Sequence, residues 1–128
     1  MTEQNQEIVR ILDWHEGAPI LLFNEIAEPN QKSIKESWQQ ARDLAKNKPF
    51  HIIADISDVK PPSAEVRAAI KKEYMKLKPQ ILSTQMYIGK NFLIKIAWKF
   101  LAASTGLENF SLAKSVEEAV VKIKDKLL

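Results

Sequence analysis

Phe50-His51-Ile52-Ile53-Ala54-Asp55-Ile56 decides the fold. Apolar side chains follow one another here without the polar alternation of a half-exposed strand, as in a central strand covered on both faces. The run is bounded by Pro49 before it and Val59-Lys60-Pro61-Pro62 after it. Upstream, Asn30 to Asn47 places Ile34, Trp38, Ala41, Leu44 and Ala45 at helical spacing. Ser33 and Glu36 have capping-box spacing at its first turn. Further upstream, Glu7 to Trp14 and Pro19 to Ile26 read as two strands. The turn His15-Glu16-Gly17-Ala18-Pro19 joins them as an antiparallel hairpin, Gly17 supplying a positive φ.

Downstream, Ser63 is the N-cap of a helix running to about Lys78. Its core stripe is Val66, Ala69, Ile70, Tyr74 and Leu77, and Pro79 ends it. Thr84 to Gly89 is a short strand. Asn91 to Ser104 is a strongly apolar helix stopped at Gly106. Asn109 to Leu112 is a last short strand. Ser115 and Glu118 give a second capping box, and Val116, Ala119, Val120, Ile123 and Leu127 stripe the final helix. The expected fold class is α/β: a mixed, mostly parallel sheet with an N-terminal antiparallel hairpin, in the order β-β-α-β-α-β-α-β-α, with helices packed against the sheet. The whole chain, 1–128, reads as a single domain with residues 1–6 as a flexible tail.

Composition narrows the function classes. The 128 residues include no Cys, which excludes a disulfide framework, thiolate metal sites and a cysteine nucleophile. Apolar residues at 45% and charged residues at 27% are too balanced for a disordered chain. No apolar run is long enough to span a membrane. The polar, acidic start does not read as a signal peptide, so a soluble cytoplasmic protein is expected. The net charge of +3 is uneven: residues 1–60 carry 7 basic against 10 acidic side chains, and residues 61–128 carry 12 against 6. The lysines fall mostly on outer helix faces, where they act as soluble helix formers, and no specific nucleic acid is expected as a partner.

Catalytic inventory is thin. The two histidines, His15 in the hairpin turn, where a solvated side chain is expected, and His51 at the start of the central strand, a capping or packing position, lack the spacing of a metal pair, so no metal site is expected. Asp55 and Asp58 frame the end of the central strand, the edge where α/β sheets bind ligands. A carboxylate pair there can bind a cation or do acid–base work. The structural alternative, which we prefer, has Asp58 capping a turn and Asp55 bonding loop N–H groups. Gly89-Lys90-Asn91 opens a helix and can hold an anion, or is a plain strand-to-helix turn, the preferred reading.

The apolar helix stands apart. With Phe92 at zero and ~100° per residue, Leu93, Ile94, Ala97, Phe100 and Leu101 fall between roughly 80° and 200°, enough for a core face. Phe92, Ile96 and Trp98, rimmed by Lys95 and Lys99, are then left for an interaction or ligand face, unless loops and the second helix cover them.

Two stretches resemble the STAS superfamily, the sulfate-transporter and anti-sigma-factor-antagonist domains, including SpoIIAA-like proteins sometimes described as SEC14-like. The first is Phe50 to Val59, a strand ending in an acidic loop before the second helix. The second is Trp98-Lys99-Phe100-Leu101-Ala102-Ala103-Ser104-Thr105-Gly106-Leu107 with Phe110 and Ser115-Val116-Glu117-Glu118-Ala119. Element order agrees over nearly the whole chain. The resemblance implies a non-catalytic regulatory or protein-interaction module with a protein partner or a homodimer. The SEC14-like label of some relatives implies a carrier or sensor of a small apolar ligand or lipid, with peripheral membrane contact. No enzymatic turnover and no cofactor are implied. The regulatory loop it points to is Asp55, Ser57, Asp58, Ser63 and Glu65. Antagonist members carry an Asp-Ser-Ser-Gly loop with a phosphorylated Ser at the start of the second helix. Lys60-Pro61-Pro62-Ser63-Ala64-Glu65-Val66 stands there instead, lacking the Gly and the paired Ser. Either Ser63 or Glu65 takes the phosphosite position.

Overall fold

The computed structural model describes residues 8–24, 26, 28–90 and 110–125, with the backbone alone for Phe110. The described chain forms β1 (Val9–His15), β2 (Ala18–Asn24), α1 (Gln31–Ala45), β3 (Phe50–Asp55), α2 (Ala64–Leu77), a short 3-10 turn (Lys78–Gln80), β4 (Ile81–Tyr87), β5 (Phe110–Ala113) and α3 (Val116–Asp125). The strands make one five-stranded sheet in the order β1-β2-β3-β4-β5. β1 and β2 are antiparallel, and every later pairing is parallel. The α/β class, the mixed sheet and the opening hairpin are therefore as the sequence predicts. The helix expected over 91–104 lies outside the described residues.

Residues 50–55 are the central strand, covered on both faces. On one side Phe50 and Ile52 join Val9, Leu21 and Phe23 beneath α1 and α2, which contribute Ile34, Trp38, Ala41, Ala45, Val66, Ile70, Tyr74 and Leu77. On the other, Ile53 joins Ile20, Leu22 and Ala113 beneath Ala119 and Ile123 of α3. Alternation along β3 sends even-numbered residues to the first core and odd-numbered ones to the second. Among the described residues no helix is long and apolar enough to cross a membrane.

The hairpin turn is Glu16-Gly17, both with positive φ (52° and 82°). That is the two-residue geometry whose twist matches the flanking strands. β1 therefore runs one residue further than expected, and His15 belongs to the strand. Its side chain is 15% exposed, not solvated, because His15 pairs with the small Ala18 and its ring meets that of His51 at 6.0 Å, edge to face.

Three other expectations are corrected. The N-cap of α1 is Asn30, not Ser33: Asn30 Oδ1 accepts from the Ser33 N–H at 2.9 Å, and Ser33 Oγ accepts from the Asn30 N–H at 2.9 Å. Ser33 therefore fills the third helical position, the place of Glu36 in the expected box. β4 starts at Ile81 rather than Thr84, because the 3-10 turn that contains Pro79 hands the chain straight to the sheet. β2 ends at Asn24, two residues short of the expected Ile26. At α3, Glu118 N–H donates to Ser115 Oγ at 3.0 Å, while the Glu118 carboxylate turns to the Lys114 N–H at 3.1 Å.

Candidate functional site

The C-terminal ends of β3 and β4, together with the start of α2, bring the acidic loop of the sequence into one place. Asp55 ends β3 opposite Asn24 of β2 and Tyr87 of β4. One more sheet bond, Ile56 N–H to Tyr87 O at 3.0 Å, carries the pairing past the strand, and Val59 N–H to Ile56 O at 3.1 Å closes a turn. Asp55 Oδ1 accepts from the Ser57 N–H at 3.2 Å and from Ser57 Oγ at 2.8 Å. This is the loop-bonding role preferred for Asp55, an Asx-type turn that fixes its own backbone.

Apolar anchors hold the loop down. Ile56 and Val59 are buried with Met86 and Ile88 of the next strand and its exit. Pro62 is buried as well, and its carbonyl accepts from Arg67 Nη1 at 2.8 Å. Between these anchors Ser57 is half-buried, and Asp58, Lys60 and Ser63 are exposed. Ser63 is the N-cap of α2 as expected: its side chain accepts from the Val66 N–H at 3.2 Å. Glu65 lies in the first turn of α2, where a carboxylate suits the positive end of the helix dipole. Lys60 Nζ reaches Glu28 Oε1 at 3.3 Å, both side chains being exposed, so the pair contributes little to stability.

Gly89 closes the site from the β4 side. Its φ is +59°, and a Cβ built there would stand 3.1 Å from Ser57 Cβ and 3.5 Å from the Tyr87 hydroxyl oxygen. The glycine thus lets the exit of β4 pass directly beside Ser57. The sequence pointed to Gly89-Lys90-Asn91 as an anion-holding helix start or a plain turn, not as a neighbour of Ser57. Its packing on Ser57 became visible when β3 and β4 were paired.

Asp55, Ser57, Asp58, Ser63 and Glu65 are therefore gathered on one loop and one helix start. Phe92, Lys95, Ile96, Trp98 and Lys99, the expected interaction or ligand face, lie outside the described residues. The histidines are at the opposite end of the sheet. There His51 Nδ1 and Ser83 Oγ are 2.7 Å apart in a hydrogen bond whose donor depends on the imidazole tautomer. His15 Nε2 comes within 3.1 Å of Glu16 Oε1, but this buried nitrogen makes no aligned hydrogen bond.

Two polar features escaped the sequence reading. Glu73 is 3% exposed between α1 and α2, bridged by Arg42 at 3.3 Å and Lys76 at 3.2 Å. Its place three residues after Ile70 and four before Leu77 was the available signal, since that spacing lies on the buried side. Gln85 is buried in β4 and accepts from Ser111 Oγ of β5 at 2.6 Å, a contact that needs the strand order to be known. Among the described residues, no group of three or more His, Asp or Glu side chains is placed to hold a metal ion.

The chemistry on display at the loop is hydroxyl and carboxylate. Ser57 donates to Asp55, and Ser63 accepts from its own helix. The arrangement can offer hydrogen bonds and charge to a partner at fixed positions. No family model matches the chain, and no curated protein matches it.

Proposed function

We propose that this chain is a non-catalytic regulatory module of the STAS type that works by binding another protein, with loop 56–63 and the start of α2 as its recognition surface. One observation carries the reading: the loop alternates anchors and display, with Ile56, Val59 and Pro62 buried and Asp58, Lys60 and Ser63 exposed. A loop held in this way loses little conformational entropy on binding. It also sits at the sheet edge where α/β domains recognise their ligands. Support for regulation comes from the sequence resemblance. Ser63 and Glu65, the two residues that can take the phosphosite position, share the first turn of α2. A phosphoryl group on Ser63 would gain from the helix dipole and forfeit the present cap; Glu65 supplies a permanent negative charge in the same turn.

The test is site-specific photo-crosslinking in cells, paired with native mass spectrometry of the purified chain. A photoreactive side chain at Asp58 should give one discrete protein adduct, and one at Lys48, at the opposite edge, should not. Equal adducts from both positions would count against the loop as the recognition surface. A retained apolar small molecule, with no adduct from Asp58, would instead favour a ligand carrier and remove the proposal.

A further inference from the structure

The three described helices present very different outer faces. α1 mixes Lys32, Lys35 and Lys46 with Glu36 and Asp43, and α3 mixes Lys122 and Lys124 with Glu117, Glu118 and Asp125. α2 does not mix. Its outward residues include Arg67, Lys71, Lys72 and Lys76, with Lys78 just beyond, against Glu65 in the first turn. Its other acid, Glu73, points inward between Arg42 and Lys76.

The arrangement within that face is ordered. Setting Arg67 at zero and stepping ~100° per residue, the buried residues Glu73, Val66, Leu77, Ile70 and Tyr74 span roughly 240° to 340°. Met75 falls near 80° and Ala68 near 100°, close to the middle of the outward arc. Arg67 and Lys71 fall between about 0° and 40°, and Lys72 and Lys76 between about 140° and 180°, a row that Glu65 joins near ~160° at its N-terminal end and in which Lys76 also pairs with Glu73. A narrow apolar ridge thus runs between two basic rows. Met75 is 45% exposed at its centre, and Lys71 and Lys72 beside it are exposed.

We infer that the outer face of α2 docks on an anionic phospholipid bilayer. Lysines snorkel, laying their stems along apolar surface while their ammonium groups reach headgroup phosphates. An apolar ridge between basic rows is the cross-section of an interfacial helix. A cluster of this size on one helix matches the electrostatic attraction to acidic lipid. The same features argue against other anionic partners. Arg67 is the one arginine on this face, whereas planar bidentate recognition of phosphopeptides and base edges favours Arg. The outward α2 residues include no aromatic side chain on which bases could stack. Lysine is also depleted from the cores of protein interfaces. This inference does not depend on the recognition loop, which lies at the end of the same helix.

The experiment is co-sedimentation of the full chain with phosphatidylcholine vesicles, with and without phosphatidylserine. The parent protein should bind only the serine-containing vesicles, and added salt should release it. Lys71→Gln with Lys72→Gln should weaken partitioning about thirtyfold, at about one kcal/mol for each charge lost. Lys114→Gln with Lys124→Gln, just before and near the end of α3 on the opposite side of the sheet, removes the same charge and should weaken it no more than about threefold, because α3 faces away from the docking side. Met75→Ser should weaken binding without changing its salt dependence. All these positions are exposed, and circular dichroism checks that each variant is folded. Absence of binding to serine-containing vesicles would overturn the inference. So would an equal loss from the Lys114 and Lys124 pair, or displacement from the vesicles by an unstructured oligonucleotide at equal phosphate concentration.

Discussion

The two faces of β3 are built from different materials. Beneath α1 and α2 the core is aromatic and continuous: Phe23 and Trp38 have ring centroids 5.1 Å apart, and Trp38 and Tyr74 meet edge to face at 6.0 Å, with Phe50 fully buried alongside. Among the described residues the core beneath α3 is aliphatic and smaller, with Ile20, Leu22, Ile53, Ala119 and Ile123. It is interrupted by the polar cross-strand contacts His51–Ser83 and Gln85–Ser111. Aromatic burial is worth more per side chain, so among the described residues the α1/α2 face supplies the larger apolar stabilisation. The α3 face trades some of that for directional contacts that fix strand register. The difference predicts unequal damage. Phe50→Ala should cost about 3–5 kcal/mol, and Ile123→Ala about 2–3 kcal/mol, in denaturant unfolding at constant m. Equal losses would show that the two cores carry equal weight.

The ionic contacts sharpen the same contrast. On the α1/α2 side Glu73 is a buried carboxylate bridged by Arg42 and Lys76. Arg42→Ala should cost about 2 kcal/mol, because it removes one partner of a buried charge. On the α3 side, Lys124 and Asp13 pair at 2.6 Å with both side chains 41% exposed. Lys124→Ala should change stability by well under about 1 kcal/mol.

Much of this organisation is legible in the residues, and the exceptions have a common cause. The apolar run 50–56 announces its two-sided burial, Gly17 announces the hairpin, and Ser63 after two prolines announces a cap. Each of these signals is local. What stays hidden depends on a partner far along the chain. His15 reads as a solvated turn residue until Ala18 and His51 place it over the sheet. Glu73 reads as a surface acid until α1 brings Arg42 beside it. Ser33 resembles an N-cap because Asn30, one turn earlier, competes for the same role with the same chemistry. At the recognition loop the residue types are visible in advance, but the Gly89–Ser57 approach exists only once two parallel strands, thirty residues apart in sequence, are paired.

The glycines extend the comparison to the two ends of the sheet. Gly17 has φ +82° and open space where a Cβ would stand; Gly89 has φ +59° and Ser57 Cβ at 3.1 Å. Left-handed backbone costs an L-residue about 1–2 kcal/mol. Gly17→Ala should cost about that much. Gly89→Ala should cost more, because Ser57 must also shift, and the excess measures how firmly the loop is held. Equal costs would mean that the loop yields, which would weaken its reading as a preset recognition surface. Ser63→Ala, at the other end of the loop, should cost about 1 kcal/mol.

The smallest effects come from pH, and they act on opposite faces. Burial raises the Tyr74 phenol above its ordinary value of 10.0. The folded state therefore holds that proton longer than the unfolded chain. Its contribution is present below pH 10 and is lost as pH rises through the folded value. Asp13 is held below the ordinary 3.8 by its hydrogen bond to Lys124, aided by the Trp14 N–H. Glu118 is likewise lowered, chiefly by the Lys114 N–H. For both carboxylates the folded state releases the proton first, so their contribution is present above the unfolded value and is lost as pH falls through the folded one. Alkali should therefore loosen the α1/α2 face and acid the α3 face. Thermal melts followed by near-ultraviolet circular dichroism separate the two, because Trp38 and Tyr74 report on the aromatic core. Asp13→Asn should flatten the acid limb of the melting temperature and leave the alkaline limb unchanged, and Tyr74→Phe should do the reverse. If Asp13→Asn leaves the acid limb as steep as in the parent, the Lys124 contact adds nothing to the attachment of α3, which then rests on the packing of Val116, Ala119, Val120 and Ile123 and on the bond from Lys122 Nζ to the Leu112 carbonyl.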